Sequence, residues 1–125
     1  MLTYYNLVCY NKLQGETMRI IKSKQFLKDY KKKIEYKHKK QIMDKMTKIE
    51  SLIIDSENLQ SLLLNPLHII YGIEKKEGNL KEIYTAKLDG KIRLHMKPVG
   101  EYPYNNIEIT EIEFLKVDDY HYGEG

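Results

Sequence analysis

The dipeptide Asp89-Gly90 separates two segments, residues 80–88 and 91–98, in which apolar and polar side chains alternate. An Asp-Gly pair accepts the positive φ angles of a two-residue turn, which joins two antiparallel strands. The sequence therefore predicts a hairpin with one face toward the core and one polar face. The predicted core-facing residues are Ile83, Thr85, Ile92, Leu94 and Met96, and the opposite face has Tyr84, Ala86, Lys91, Arg93, His95 and Lys97, with Leu88 paired to Lys91, Ala86 to Arg93 and Tyr84 to His95.

Residues 23–53 are predicted to be helical, because apolar side chains recur there every three or four positions. Ser23 is expected to cap the first helix through its side-chain oxygen. Neither Gly nor Pro interrupts the segment, so the pattern fits one long helix or a helical hairpin bent near residues 36–39. A further short helix is expected to be capped by Asp55-Ser56 and to end before Pro66, since the residue before proline avoids the helical region.

Three strands are predicted outside the hairpin, at residues 4–10, 18–22 and 112–117. The last of these has apolar residues on both faces, which is typical of a central strand. Its alternation is out of phase with that of residues 107–109, so a bulge, or a turn separating two strands, is expected near Thr110. Because the helices precede a mainly antiparallel sheet, the order predicts an α+β fold with the helices covering one sheet face.

The chain has 125 residues, which fits a single domain with one core. It has no apolar run long enough to span a bilayer and no secretory signal, and its single Cys9 forms no internal disulfide. These features predict a cytoplasmic protein. No histidine or cysteine spacing typical of a metal site occurs, so neither a metal nor another cofactor is expected.

The net charge of +3 conceals a basic segment, residues 19–48, where twelve Lys or Arg residues oppose three acidic ones for a net charge of +9. Such a segment favours a polyanionic partner, although solvated helices are also often rich in lysine. The cationic residues of the predicted hairpin face would hold a phosphodiester backbone, or they simply mark a solvent-exposed face.

Several motifs, taken in order, resemble the HigB (plasmid maintenance killer) branch of the RelE/ParE toxin superfamily. The motifs are a strand followed by basic helices, Leu64-Asn-Pro-Leu-His68, the hairpin at residues 83–96 and Val117-Asp-Asp-Tyr-His121. The resemblance covers residues 18–121 and implies a RelE-like fold in a single domain, with residues 1–17 as an additional segment and residues 99–110 as an insertion. It also implies the toxin of a bacterial type II toxin-antitoxin module, which cleaves messenger RNA on the ribosome without a metal.

The resemblance assigns catalytic candidates residue by residue. The family's strand arginine matches Arg93, and its terminal Asp-Tyr-His matches Asp119, Tyr120 and His121. The family's Leu-His-Pro-Leu-Lys matches residues 64–68, where Asn65 replaces the histidine and His68 replaces the lysine. An amide exchanges no protons near neutral pH, so His68 is a candidate substitute.

Metal-free cleavage requires a base for the 2′-hydroxyl, cations for the phosphoryl oxygens and an acid for the leaving oxygen. Arg93 suits the second task, and His121 the first or third, with Asp119 orienting it and Tyr120 stacking on a base or assisting proton transfer. His68 and His95 compete for the proton transfers, whereas Asp118 is interpreted as a surface residue. The RNA-binding candidates are Lys31, Lys32, Lys33, Asn65, Lys91, His95 and Lys97.

Three functions follow from these considerations. The first is a ribosome-dependent messenger RNA endonuclease neutralised by a cognate antitoxin of the helix-turn-helix type, with ribosome and messenger RNA as its other partners and no membrane. The second is a ParE-like toxin that inhibits DNA gyrase by protein contact. The third is a noncatalytic binding module whose lysine-rich helices dock on nucleic acid or on an acidic protein.

Overall fold

A computed structural model describes residues 17–119, so the strand expected at residues 4–10 and the candidate residues Tyr120 and His121 lie outside the described part. The strands are β1 (Arg19–Lys22), β2 (Glu74–Lys75), β3 (Tyr84–Lys87), β4 (Ile92–Pro98) and β5 (Glu111–Asp119). The helices are α1 (Lys24–Tyr30), α2 (Lys40–Ile54), α3 (Leu59–Leu64) and α4 (Leu67–Ile70), with a π-helix at Lys31–Glu35 and a 3-10 turn at Gly78–Leu80. No helix between residues 17 and 119 is long and apolar enough to cross a membrane.

The five strands form one mixed sheet in the order β1-β5-β4-β3-β2. β1 pairs with β5 in parallel, and the other neighbours are antiparallel. The predicted central position of the last strand is confirmed, since β5 lies between β1 and β4. A turn near Thr110 is confirmed at residues 106–108, but residues 107–109 do not form the strand expected before it, and the bulge lies within β5. His95 pairs with Lys116 and Met96 with Phe114, so Leu115 is the extra residue.

The helical segment is a bent hairpin, which confirms the second of the two predicted alternatives. Ser23 caps α1 as expected, accepting a hydrogen bond from the Phe26 amide at 2.9 Å. The π-helix then leads into a turn in which His38 has a φ of 53°, and α2 starts two residues later. The turn reverses the chain, so both arms of the helical hairpin contribute to one layer.

The cap predicted for the next helix is wrong. Asn58 caps α3, with its Oδ1 accepting from the Ser61 amide at 2.8 Å, whereas the hydroxyl of Ser56 is buried and donates to the Leu52 carbonyl. The predicted end of this helix is confirmed, because Asn65 is extended (ψ 124°) immediately before Pro66.

The β3–β4 hairpin is present, but its predicted register is shifted by one residue. Lys87 pairs with Arg93 and Ala86 with Leu94, and the loop is closed by the Leu88 amide donating to the Ile92 carbonyl at 2.9 Å. The connection therefore has three residues, 89–91, instead of two. Since a one-residue slip exchanges the faces of a strand, Tyr84 and Ala86 face the core and Thr85 faces away, opposite to the prediction. The predicted faces of β4 are correct.

A single core forms between the helices and the inner sheet face. Phe26 of α1 packs edge-on against Phe114 of β5, with ring centroids 5.3 Å apart. Leu94 and Met96 extend the same cluster along β4, and apolar residues of α2 and α3 cover them. The α+β arrangement with the helices on one sheet face is therefore confirmed.

Polar side chains of the first helical arm hold the free edge of β5 beyond the end of β1. The Ser23 hydroxyl donates to the carbonyl of the bulged Leu115 at 2.8 Å. Asp29, which is only 8% exposed, accepts the Val117 amide at 3.1 Å, and the Lys33 ammonium donates to the Val117 carbonyl at 3.0 Å. These contacts satisfy backbone groups that no strand between residues 17 and 119 pairs, and they fix the path of the chain toward its C-terminal residues.

Candidate functional site

The sheet face away from the helices displays ionisable side chains on β4 and β5. Arg93, His95 and Lys97 alternate with buried apolar residues of β4 and are half-buried. Their cross-strand partners on β5 are Asp118, Lys116 and Glu113, respectively. The cationic stripe expected on this face is therefore a ladder of mixed charge, because two of the three partners are acids. Lys91 is not part of it, since that residue lies exposed in the hairpin loop.

Arg93 is positioned by the hairpin loop next to it. Its Nη1 donates to the Asp89 carbonyl at 2.7 Å, and the Asp89 carboxylate accepts the amides of Lys91 and Ile92, both at 2.7 Å. Burial favours the neutral form of this carboxyl, but the two amides, with Lys39 and Arg93 nearby, lower its pKa overall. The backbone amides of the loop thus hold the ionised Asp89 carboxylate, and the Asp89 carbonyl holds the Arg93 guanidinium where the loop joins β4.

His95 lies in the middle of the ladder, between Thr85 and Lys116. Its pKa is lowered, first by burial and then by the positive charges of Lys116 and Lys76, while Asp118 opposes the shift. The imidazole is therefore neutral near pH 7, and a neutral imidazole can accept a proton or a hydrogen bond.

The register of β5 decides which terminal carboxylate lies beside Arg93. Asp118 pairs with Arg93, whereas Asp119 pairs with Ile92 and shares the face of that core residue. Asp118 also forms an ion pair with Lys116, with Nζ and Oδ2 3.5 Å apart. The sequence alone predicts Asp118 to be an ordinary surface residue. Its position beside Arg93 follows from the Leu115 bulge, which changes the face on which each later residue of β5 lies. β5 thus brings the chain to the Arg93 end of β4 at its last described residue.

Asn65 and His68 are engaged in the start of α4. The Asn65 Oδ1 accepts the Leu67 amide at 2.9 Å, and its carbonyl accepts the His68 amide and lies 2.8 Å from His68 Nδ1. Just after this helix, the Tyr71 carbonyl accepts the Lys87 amide at 3.1 Å. Lys87 lies on β3 and is the cross-strand partner of Arg93 on β4. The helix that begins at Asn65–His68 is therefore followed by a residue bonded to the strand next to that of Arg93.

The remaining lysine candidates lie in different environments. Lys31 and Lys32 are exposed on the π-helix, whereas the Lys33 ammonium is bound to the Val117 carbonyl and serves the strand edge. Lys97 is paired with Glu82, with Nζ and Oε1 3.6 Å apart. Lys31 and Lys32 are therefore the members of this run that present their charge to solvent.

Residues 99–110, which the resemblance predicts to be an insertion, pack back onto the sheet edge. Tyr102 and Tyr104 meet edge to face at 5.2 Å, and the ammonium groups of Lys75 and Lys81 lie 5.6 and 5.4 Å from the centre of the Tyr102 ring. The Tyr104 hydroxyl donates to the Glu82 carbonyl at 2.7 Å, and burial, aided by Glu82, raises its pKa to about 12. These tyrosines are engaged in local packing.

Within residues 17–119, no three His, Cys, Asp or Glu side chains come together as a metal-binding group. The chemistry available in this part of the chain consists of a guanidinium, a neutral imidazole, carboxylates and lysines on one sheet face. Helices on one side of a small mixed sheet, with an ionisable open face, define an α+β fold of the RelE toxin type.

Comparisons with solved structures agree with this class. A chain of the Escherichia coli DinJ-YafQ toxin-antitoxin complex is 20% identical over 82% of this chain and 92% of that chain, with a TM-score of 0.57. A YoeB/ParE toxin from Agrobacterium tumefaciens is 10% identical over 83% of this chain and 100% of that one, with a TM-score of 0.54. A chain of the YoeB-YefM complex from Staphylococcus aureus is 23% identical over 84% and 98%, with a TM-score of 0.51.

The protein therefore has the fold of RelE/YoeB-type microbial toxins. No protein-family model matches the sequence, and no curated protein matches it either. The more specific resemblance to the HigB branch stays a prediction, since the structural neighbours are YafQ and YoeB-type proteins.

Proposed function

We propose that this protein is the toxin of a type II toxin-antitoxin module and acts as a ribosome-dependent messenger RNA endonuclease without a metal. The observation that supports this most directly is the pairing of β5 with β4, which brings Asp118 opposite Arg93 at the end of the last described strand. The motif Asp119-Tyr120-His121 begins at Asp119, which pairs with Ile92, the residue before the strand arginine. Neighbours with the same fold are named as toxins and occur in complexes with antitoxins.

In this proposal the attacking nucleophile is the 2′-hydroxyl of the RNA, and cleavage leaves a 2′,3′-cyclic phosphate and a 5′-hydroxyl. Arg93 stabilises the charge that develops on the phosphoryl oxygens, which is commonly worth a factor of about 10²–10³ in rate. His121 transfers a proton, and His95, which is neutral near pH 7, is a second candidate for proton transfer. His68 is the third histidine candidate, and Tyr120 stacks on a base or assists the proton transfer.

The strand register supports different roles for the two carboxylates. Asp118 lies on the face of Arg93 and therefore orients the guanidinium or a protonated imidazole, while Asp119 lies on the other face of β5. The exposed Lys31 and Lys32 contribute long-range attraction to ribosomal RNA, which weakens as salt rises. A cognate antitoxin, expected to be of the helix-turn-helix type, completes the module.

Induced expression in a bacterial host, followed by primer extension on abundant messenger RNAs, tests the proposal. The wild type is expected to arrest growth and to give cuts linked to codons, and Arg93→Ala is expected to reduce cutting by about 10²-fold or more. Arg19→Ala is the matched control, because Arg19 is an exposed arginine on β1 whose ion pair with Glu111 lies at the surface. Such exposed pairs contribute little to stability, so this variant should cut normally.

Intact transcripts would contradict the endonuclease. Growth arrest with intact transcripts and blocked DNA supercoiling would instead indicate the ParE-like gyrase inhibitor. No growth effect in the wild type, with retained binding to RNA or to an acidic protein, would leave the noncatalytic module.

A further inference from the structure

The outer edge of β5 loses its strand partner before the strand ends. β1 stops at Lys22, which pairs with Phe114, whereas β5 continues to Asp119, and no other strand between residues 17 and 119 takes up this edge. The amide and carbonyl of Val117 lie on the unpaired stretch. Both point away from β4, because they bind side chains of the first helical arm, which consists of α1 and the π-helix.

Two side chains, four residues apart in the chain, take the place of the missing strand. Asp29, near the end of α1, accepts the Val117 amide through Oδ2 at 3.1 Å. Lys33, in the π-helix, donates from Nζ to the Val117 carbonyl at 3.0 Å. Hydrogen bonds with an ionised partner are stronger than those between neutral backbone groups. Asp29 and Lys33 together are called the edge clamp below.

The edge clamp acts on the residue directly before Asp118. Backbone groups of successive strand residues point to opposite edges, so Asp118 turns its amide and carbonyl toward β4, where Arg93 is its partner. The bulge at Leu115 lies just upstream, and a one-residue slip after it would return Asp118 to the core face. Because the clamp binds both backbone groups of Val117, it opposes such a slip.

We propose that Lys33, together with Asp29, is a positioning residue for RNA cleavage, because the edge clamp keeps β5 in the register that sets Asp118 beside Arg93. This inference rests on the proposed function. The Lys33 ammonium is bound to the Val117 carbonyl, so its loss acts on the rate of cleavage and not on the affinity for RNA. The two exposed lysines before it in the same run act on affinity instead.

Single-turnover cleavage of messenger RNA on programmed ribosomes, at increasing concentrations of the protein, separates these effects. Lys33→Met retains an unbranched stem and removes the ammonium. It is expected to reduce the rate at saturation about tenfold or more, because small misplacements of catalytic groups are costly, and to leave the half-saturating concentration unchanged. Lys33→Arg should restore most of the rate, since it again donates N–H groups to the Val117 carbonyl.

Two neighbouring lysines provide the comparison. Lys32→Met removes an exposed charge of the same π-helix, so it should raise the half-saturating concentration and weaken its dependence on salt. Lys28→Met is the matched control, because Lys28 is an exposed residue of α1 and should change neither quantity. Thermal unfolding of every variant shows whether a lower rate reflects lost structure.

Hydrogen exchange measures the edge clamp without any RNA. In Lys33→Met the amides of Val117 and Asp118 should lose protection relative to the amide of Met46, a buried residue of α2 that reports global stability. Unchanged protection would overturn the clamp. Lost protection with an unchanged rate at saturation would overturn the positioning role, and so would a raised half-saturating concentration as the main effect of Lys33→Met, which would indicate an RNA-binding lysine.

The two proposals fail separately. A wild type that cleaves no messenger RNA refutes the endonuclease and with it the role in cleavage, while hydrogen exchange in Lys33→Met still decides whether the clamp holds β5. A wild type that cleaves, with Lys33→Met equally fast at saturation, supports the endonuclease and overturns the positioning role.

Discussion

Replacing the buried Asp29 with alanine is expected to destabilise the chain by about 2–3 kcal/mol. The carboxylate of this α1 residue accepts the Val117 amide through Oδ2 at 3.1 Å and the Gln25 side-chain amide through Oδ1 at 2.7 Å. Alanine would leave the buried Val117 amide without its acceptor, and an unsatisfied buried donor costs roughly 1–3 kcal/mol. The Gln25 contact is only part-buried and adds less.

Asp29→Asn separates the charge from the hydrogen bond. Asparagine retains an oxygen that can accept the Val117 amide, but hydrogen bonds to a charged acceptor are roughly twice as strong as neutral ones. We therefore expect a loss of about 1 kcal/mol, intermediate between the wild type and the alanine variant. The exposed Asp44 on α2 provides the control, because an Asp44→Ala change at the surface should stay within about 0.5 kcal/mol.

Urea unfolding gives the free energies, and thermal unfolding should show a fall of roughly 3–6 °C per kcal/mol for a chain of this size. Hydrogen exchange adds a local measurement, since the Val117 amide should lose protection in Asp29→Ala beyond the loss expected from global stability. A free energy of unfolding for Asp29→Ala equal to that of Asp44→Ala would refute the role given to this carboxylate. So would unchanged local protection at Val117.

Two further changes have defined outcomes. Gly72→Ala should destabilise the chain by about 1–3 kcal/mol, because Gly72 has a positive φ and the stem of Lys87 lies against it. Gly90 has open space around it, so Gly90→Ala should change the free energy of unfolding by less than about 0.5 kcal/mol. Equal effects of the two changes in chemical denaturation would contradict this. The lowered pKa of His95 means that the unfolded chain binds more protons between that pKa and the ordinary value of 6.5, so stability should rise with pH across this window and not above it. His95→Gln should remove this component of the pH dependence, and identical profiles for the two chains would show that another group is responsible.

The hairpin shows which part of the fold local sequence could predict. Asp89-Gly90 correctly marked a reversal between two strands, and the alternation in β4 correctly placed Arg93 and His95 on the face away from the helices. The register failed because the Asp89 carboxylate accepts the amides of Lys91 and Ile92, which closes a three-residue loop instead of a two-residue one. Dipeptide preference identifies a turn, but a side-chain hydrogen bond inside the loop sets its length.

The bulge at Leu115 decides which carboxylate faces Arg93. Uninterrupted alternation from Ile112 and Phe114 would place Asp118 toward the core and Asp119 on the open face. The extra residue at Leu115 reverses this parity, so Val117 enters the core and Asp118 pairs with Arg93. The Ser23 hydroxyl binds the carbonyl of that bulged residue from 92 positions away in the chain. The orientation of the terminal carboxylates is therefore coupled to the cap of the first helix, and only the tertiary structure contains that information.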